Sequence, residues 1–119
     1  MGSAVWATVT IASGAAASSV FELGDYRIAA VIGPAAWTAA DISFEVDGGN
    51  GAYAKAVDSA GALIKITGVA TAVSEYMTPP EIADRICGKT AKIVSTNTAS
   101  EADVNQGAAR TLVVVLAPL

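Results

Sequence analysis

The chain has 119 residues, seven of them basic, eleven acidic, one cysteine and no histidine, for a net charge of −4. The sequence pI near 4.5 and the scattering of the basic residues exclude the concentrated positive footprint that nucleic acid requires. The lack of histidine removes the commonest general base, and with a lone cysteine it removes nearly every transition-metal site, so neither an enzyme nor a cofactor is expected.

One domain of this length buries roughly two thirds of the surface its unfolded chain exposes. Hydrophobic residues make up 53% of the chain but aromatics only 6%, which predicts a core of small and β-branched side chains. Charged residues amount to 15%, against about 25% in an ordinary domain, and the mean hydropathy is +0.51. An unusually apolar surface follows, part of which other chains would cover. The longest apolar run, Leu112 to Leu116 with its neighbours, falls far short of the roughly 18 residues that cross a bilayer, so no membrane partner is expected. The amino terminus through Trp6 shows neither a basic segment nor a long apolar stretch, and no secretory signal is read from it. Cys87 is expected to be a small buried residue without a catalytic partner.

Along the chain, Val5, Ala7, Val9 and Ile11 alternate with Trp6, Thr8 and Thr10, which predicts a half-buried strand over Val5 to Ala12. A turn through Ser13-Gly14 leads to a short strand at Val20 to Leu23, closed by Gly24-Asp25. Tyr26 to Ile32 is nearly continuous in apolar residues, as suits a strand covered on both faces. Gly33-Pro34 ends it. The following loop carries one large side chain, Trp37, predicted to cap an end of the core with its indole N–H satisfied. From Asp41 to Asp47, the apolar Ile42, Phe44 and Val46 alternate with acidic and polar residues.

Gly48, Gly49, Asn50 and Gly51 can take positive φ and predict a structural hairpin turn into a strand over Ala52 to Val57. Asp58 to Gly61 reads as a second such turn, before a strand at Ala62 to Thr67. Thr78-Pro79-Pro80-Glu81 matches a capping box followed by Ile82, Ile86 and Gly88, so one or two helical turns are expected there. Strand character resumes from Thr90 to Ser95. Thr96 to Gln106 is polar enough to be an exposed loop, and a last strand covers Ala109 to Leu116.

Seven or eight short strands with turn signals between them and almost no helix predict an all-β fold, a single-domain β-sandwich or jelly roll spanning residues 1–119. Leu112, Val113, Val114, Val115 and Leu116 are apolar on both faces, so that strand must be central in a sheet or lie against another subunit. These five, with Trp6, are the candidate interface.

Three other constellations carry less. Gly49-Asn50-Gly51-Ala52-Tyr53-Ala54 fits a dinucleotide-binding spacing, but that motif needs a helix after the glycines and here a strand is predicted. Glu45 and Asp47 stand about 7 Å apart on one strand face, a spacing reminiscent of a glycosidase pair, yet nothing nearby would separate their two pKa values as acid and base roles demand. A solvated or interface face is expected instead. Arg85, Lys89 and Lys92 form the densest basic cluster and are read as a solvated strand end.

Three segments carry a resemblance: Ala7 to Gly14, Gly33-Pro34-Ala35-Ala36-Trp37-Thr38-Ala39-Ala40-Asp41-Ile42-Ser43-Phe44, and Gln106-Gly107-Ala108-Ala109-Arg110-Thr111-Leu112. Together they resemble a family of small structural proteins encoded by tailed bacteriophages and prophages. The likeness spans most of the chain, with the Pro-Ala-Ala-Trp loop its most distinctive part. The chain departs from the family pattern between Met77 and Cys87, where a Pro-Pro helical start replaces a shorter apolar turn.

The resemblance implies a virion component without catalytic residues. The expected function is that of a capsid decoration or cement protein on the outer shell, joining capsomers. Its partners would be the major capsid protein or another virion protein and further copies of itself, as a homo-oligomer with a trimer favoured by shell symmetry. It would be made in the bacterial cytoplasm and located on the virion. A head-spike or tail-associated adaptor is the alternative within virions. A carbohydrate-binding module is the alternative of another class, and it would require Trp6, Trp37 and Tyr53 to line one platform.

Overall fold

The computed structural model describes residues 4–47, 50–67, 69, 75–77 and 90–118. Among these residues there are nine strands and no helix: β1 Val5–Ile11, β2 Phe21–Glu22, β3 Tyr26–Ile32, β4 Asp41–Asp47, β5 Tyr53–Lys55, β6 Lys65–Ile66, β7 Glu75–Met77, β8 Thr90–Thr96 and β9 Arg110–Pro118. The expected helical turn at Thr78 to Gly88 lies outside the described residues, as do Cys87, Gly48 and Gly49.

The strands form two antiparallel sheets packed face to face as a β-sandwich. The first runs β1-β9-β3-β7; the second runs β2-β8-β4-β5, with β6 also paired to β4. Most connections pass from one sheet to the other, and β4 to β5 is a direct hairpin. Gly51 at φ 81 turns that hairpin, and Asp47 Oδ1 accepts the Gly51 N–H at 3.1 Å. A strand follows these residues, not a helix, so the dinucleotide-like spacing has no helix N-terminus to meet a pyrophosphate.

Period-two patterning decides which residues meet between the sheets. Val9 and Ile11 of β1, Ile28 and Val31 of β3, and Leu112, Val114 and Leu116 of β9 face Phe21, Ile42, Phe44, Ala91 and Ile93 of the second sheet. In β3 the inward period is broken, because the register against β9 shifts between Ile28 and Ala30. This bulge lets both Ile28 and Val31 point inward although they are three apart. β9 is apolar on both sides because it is central: β1 pairs along one edge and β3 along the other.

β7 is a strand the sequence pattern does not announce, and it pairs Ala30, Val31 and Ile32 of β3 with Met77, Tyr76 and Glu75. Three residues are too few to show a period. The segment 15–19 acts as a strap between the sheets. Ser19 N–H donates to Thr10 C=O at 3.0 Å, and Ser18 N–H donates to Ile93 C=O at 2.8 Å.

Candidate interface

The outer face of the first sheet is assembled from alternate residues of its three long strands. Trp6 pairs with Val115 and Thr8 with Val113 across β1 and β9, and Val115 and Val113 pair in turn with Ala30 and Ile32 across β9 and β3. Residues paired across strands share a face, so Trp6, Val115, Val113 and Ile32 form one apolar strip pointing away from the core. Trp6 is 65% exposed, more than any other large hydrophobic residue described. Val113, Val115 and Ile32 are half-buried. β1 carries no charge, and neither does β3 after Arg27 nor β9 after Arg110, whereas β7, at the far edge of the sheet, sets Glu75 opposite Ile32.

The outer face of the second sheet has the opposite character. Glu45 pairs with Lys92 on β8 and Lys55 on β5, Lys55 Nζ lies 3.0 Å from Asp103, and Lys92 Nζ sits 4.3 Å from the centre of the Tyr53 ring. Glu45 therefore stands among cations on an ordinary solvated face, and Asp47 closes the hairpin turn.

The loop between β8 and β9 was expected to be exposed, and its tip is, but its end is not. Gln106 is fully buried. Its Oε1 accepts the Thr38 N–H at 2.8 Å, and its Nε2 donates to Thr38 C=O at 3.2 Å and Ser95 Oγ at 2.7 Å. Arg110 Nε donates to the same Oε1 at 3.1 Å, and Arg110 Nη2 to Thr38 Oγ1 at 3.2 Å. The Gln106 backbone binds the turn after β1, with Gly14 N–H on its carbonyl at 2.8 Å and its own N–H on Ala15 C=O at 2.9 Å. The turn after β1, the loop before β4 and the start of β9 thus meet at this one residue. Beside it Trp37 is 5% exposed, and its Nε1–H donates to Ala40 C=O at 3.1 Å, the buried, satisfied anchor expected from the sequence.

The same loop folds back over the second sheet through an ion pair. Asp41 is 3% exposed. Lys65 Nζ reaches Asp41 Oδ2 and Glu101 Oε2, each at 3.4 Å, and donates to Thr98 C=O at 3.0 Å. Thr98 Oγ1 lies 3.1 Å from Asp41 Oδ1. A cleft of about 400 Å³ opens beside them, lined by Ala39, Ala40, Asp41, Val69, Asn97, Thr98 and Ala99. Its carboxylate is already held by Lys65 and Thr98, and among the described residues no second acid or base lines it. Among the described residues no group of three or more His, Cys, Asp or Glu could hold a metal ion.

The residues singled out from the sequence therefore divide. Leu112, Val114 and Leu116 belong to the core, whereas Val113, Val115 and Trp6 reach the outer face. Asn50 and Gly51 form the hairpin turn. Trp37 is in the core, Tyr53 on the second sheet's outer face and Trp6 on the first, so the three aromatics do not share the platform that carbohydrate binding would need. The Gln106 and Asp41 networks are not visible in the sequence pattern, since each joins residues far apart along the chain. The chain matches no family model, no curated protein and no solved structure.

Proposed function

We propose that the protein is a non-enzymatic, adhesive component of a tailed-bacteriophage virion, a decoration or cement protein that lays the outer face of its first sheet on the capsid shell. The observation that supports this reading is the split polarity of the sandwich. One face carries charges across its middle and is suited to water, while the other carries none on β1 or on β9 beyond Arg110 and is centred on Trp6, with Val113, Val115 and Ile32 beside it and the charged Arg27 and Glu75 on the more distant β3 and β7. An exposed aromatic surrounded by half-buried aliphatic residues is the composition of a contact centre, where little charge needs to be desolvated. A modest patch on each copy suffices, because many copies on a repetitive lattice bind by multivalency and no single contact has to be strong.

The test is electron cryomicroscopy of virions from the phage that encodes the chain, with the protein tagged at its C-terminus, together with readdition of purified protein to virions lacking it. Density on the shell, lost when Trp6→Asp is substituted, is the expected result. Density confined to the tail would move the protein to the adaptor role. Virions that neither contain nor bind it would overturn the reading.

A further inference from the structure

The edges of the two sheets are not alike. β2, β5, β6 and β7, which all lie at sheet edges, are two or three residues long, and each includes a charged residue: Glu22, Lys55, Lys65 and Glu75. Short length and charge are the usual devices by which an edge strand is kept from pairing with another chain. β1 has neither. It is seven residues long, Val-Trp-Ala-Thr-Val-Thr-Ile, with no charge and no proline. Its register against β9 is unbroken from Val5 to Ile11, so no bulge twists it away either.

The backbone shows which groups this edge offers. Thr10 turns its N–H and C=O away from β9, because both bind Ser19 of the strap, at 3.2 Å to the Oγ and 3.0 Å from the N–H. Along a strand the backbone groups of every second residue point to the same side. Trp6 and Thr8 therefore present their N–H and C=O groups to the open edge, while Val5, Ala7, Val9 and Ile11 bond to β9. The close approach of the Thr10 and Thr111 hydroxyls, 3.5 Å apart, fits a pair without main-chain bonds between them, in which side chains lie nearest. The strap blocks the edge at Thr10 and leaves it open at Trp6 and Thr8.

We infer that this edge pairs with the β1 strand of a second copy, antiparallel about a two-fold axis at Ala7, joining the two first sheets into one. With Ala7 opposite its own symmetry mate, Trp6 of each copy stands opposite Thr8 of the other. All the outward main-chain groups of both residues then bond, two pairs exchanging two hydrogen bonds each. An axis at Thr8 would set Trp6 against Thr10, which Ser19 already occupies. An axis at Trp6 would leave the Thr8 groups of both copies facing Ala4. The occupant is a second copy because the strip suits itself: copies with a net charge of −4 repel elsewhere but meet here with no charge on either strand. The pairing also brings Val5, 37% exposed, beside Val9 of the partner, and carries the two apolar outer faces into one continuous surface with both Trp6 rings near its centre.

This arrangement is two-fold, unlike the trimer that the family resemblance implies. It stands on the backbone of β1 and is independent of the virion reading. A dimer that binds no virion would leave it intact, and virion binding by a monomer would not rescue it.

Thr8→Pro is the discriminating variant. The N–H it removes points to the open edge and not to β9, and a proline is tolerated in an edge strand on that side. By light scattering the unmodified protein is expected at twice the 11.9 kDa chain mass, and Thr8→Pro at the chain mass with an unchanged β spectrum. Thr8→Glu, which would set carboxylates close together across the axis, is the second variant should the proline disturb folding. Hydrogen exchange provides a direct readout: the Trp6 and Thr8 amides are slowed in the unmodified protein, the Trp6 amide exchanges freely in either variant, and the residue-8 amide, which Thr8→Pro lacks, exchanges freely in Thr8→Glu. A monomer at all concentrations, a trimer, or a dimer that both variants leave intact would overturn the inference.

Discussion

Gln106 binds Thr38 as one peptide group binds another across a strand pair, accepting from its N–H at 2.8 Å and donating to its C=O at 3.2 Å. The two residues are 68 positions apart. Thr38 follows Trp37 in the loop between β3 and β4, and Gln106 precedes β9, so the amide ties the end of the sandwich shut where chains cross between sheets. Ser95 and Arg110 use the remaining capacity of the same side chain. A loop that leaves a sheet would otherwise bury main-chain groups without partners, and Gln106 supplies them.

Removing this amide should therefore cost more than one ordinary hydrogen bond. Gln106→Ala leaves the Thr38 N–H and C=O, Ser95 Oγ and one Arg110 donor short of a partner, so a loss of roughly 2–4 kcal/mol is expected from two or more buried groups left unsatisfied. Gln106→Glu keeps the acceptor for Thr38 N–H and Arg110 but cannot donate when ionised, and should fall between Ala and the unmodified chain. Urea unfolding of the three proteins checks the order. A Gln106→Ala protein within about 0.5 kcal/mol of the original, the usual scatter of neutral surface changes, would contradict the role assigned here.

Lys65 makes a second long-range tie, and its loss should be asymmetric. Lys65→Met leaves the Asp41 carboxylate buried without its cation, for which a loss of about 3–5 kcal/mol is the usual scale when one partner of a buried pair is removed; Lys65 is itself partly exposed, so the lower end is expected. Adding Asp41→Asn to that variant should recover stability, because it removes the stranded charge. Lys55 and Asp103 form a comparable ion pair in the open, and Lys55→Met should change stability by less than about 1 kcal/mol. Denaturant midpoints of the four proteins measure this, and a double variant no more stable than Lys65→Met would count against a buried charge as the cause.

The strands were legible in the sequence where one face meets the core and the other water. β1 shows this alternation clearly, whereas β4, which has the same pattern in sequence, is buried on both sides over Asp41 to Phe44 because Ser43 and Asp41 are covered as well. Tyr26–Ile32 could be read to its ends because Gly24-Asp25 and Gly33-Pro34 bracket it. β9 was legible as central or subunit-covered from Leu112 to Leu116, but not which residues face outward; that depends on its register with β1 and β3, which the strand itself does not encode. Trp37 could be recognised as a core anchor because a lone large aromatic in a loop of alanines has few other places to go. Gln106 could not. A glutamine in a run of Asn, Thr, Ser and Asp looks like solvent-facing loop, and only the arrival of Thr38 from the other end of the sandwich makes its burial favourable. Asp41 was hidden in the same way, being read as an outward strand residue before Lys65 and the 98–101 turn covered it.

The hairpin after β4 should depend on backbone freedom and not on space. Gly51 has φ 81, and a Cβ placed there would meet nothing within 4 Å. Any cost of substitution is then conformational. Gly51→Asn should be mild, since Asn tolerates this region, whereas Gly51→Val, β-branched at positive φ, should cost about 1–2 kcal/mol or more. Thermal unfolding of the two variants separates the explanations, because a steric origin would penalise Asn and Val alike.

The two tryptophans should report the two environments of the sandwich separately. Trp6 lies on the outer face of the first sheet and Trp37 within the core, its indole bonded to Ala40. Acrylamide should quench only Trp6 in dilute solution, so that Trp6→Phe removes the quenchable emission and Trp37→Phe leaves it. Stability should divide the other way. Trp37→Phe loses the bond to Ala40 C=O and part of the ring, and strands an acceptor, for an expected cost of about 1–3 kcal/mol; Trp6→Ala removes a side chain that is mostly in water and should cost under about 1 kcal/mol in the monomer. A self-associating protein adds a concentration dependence: if β1 pairs with its own copy, quenching of Trp6 should fall as protein concentration rises, and Thr8→Pro should abolish that fall. Fluorescence titrations at several protein concentrations, with unfolding curves alongside, test both halves. Equal quenching of both rings would mean that Trp37 is not sealed in the core and would contradict its role as the anchor of the loop before β4.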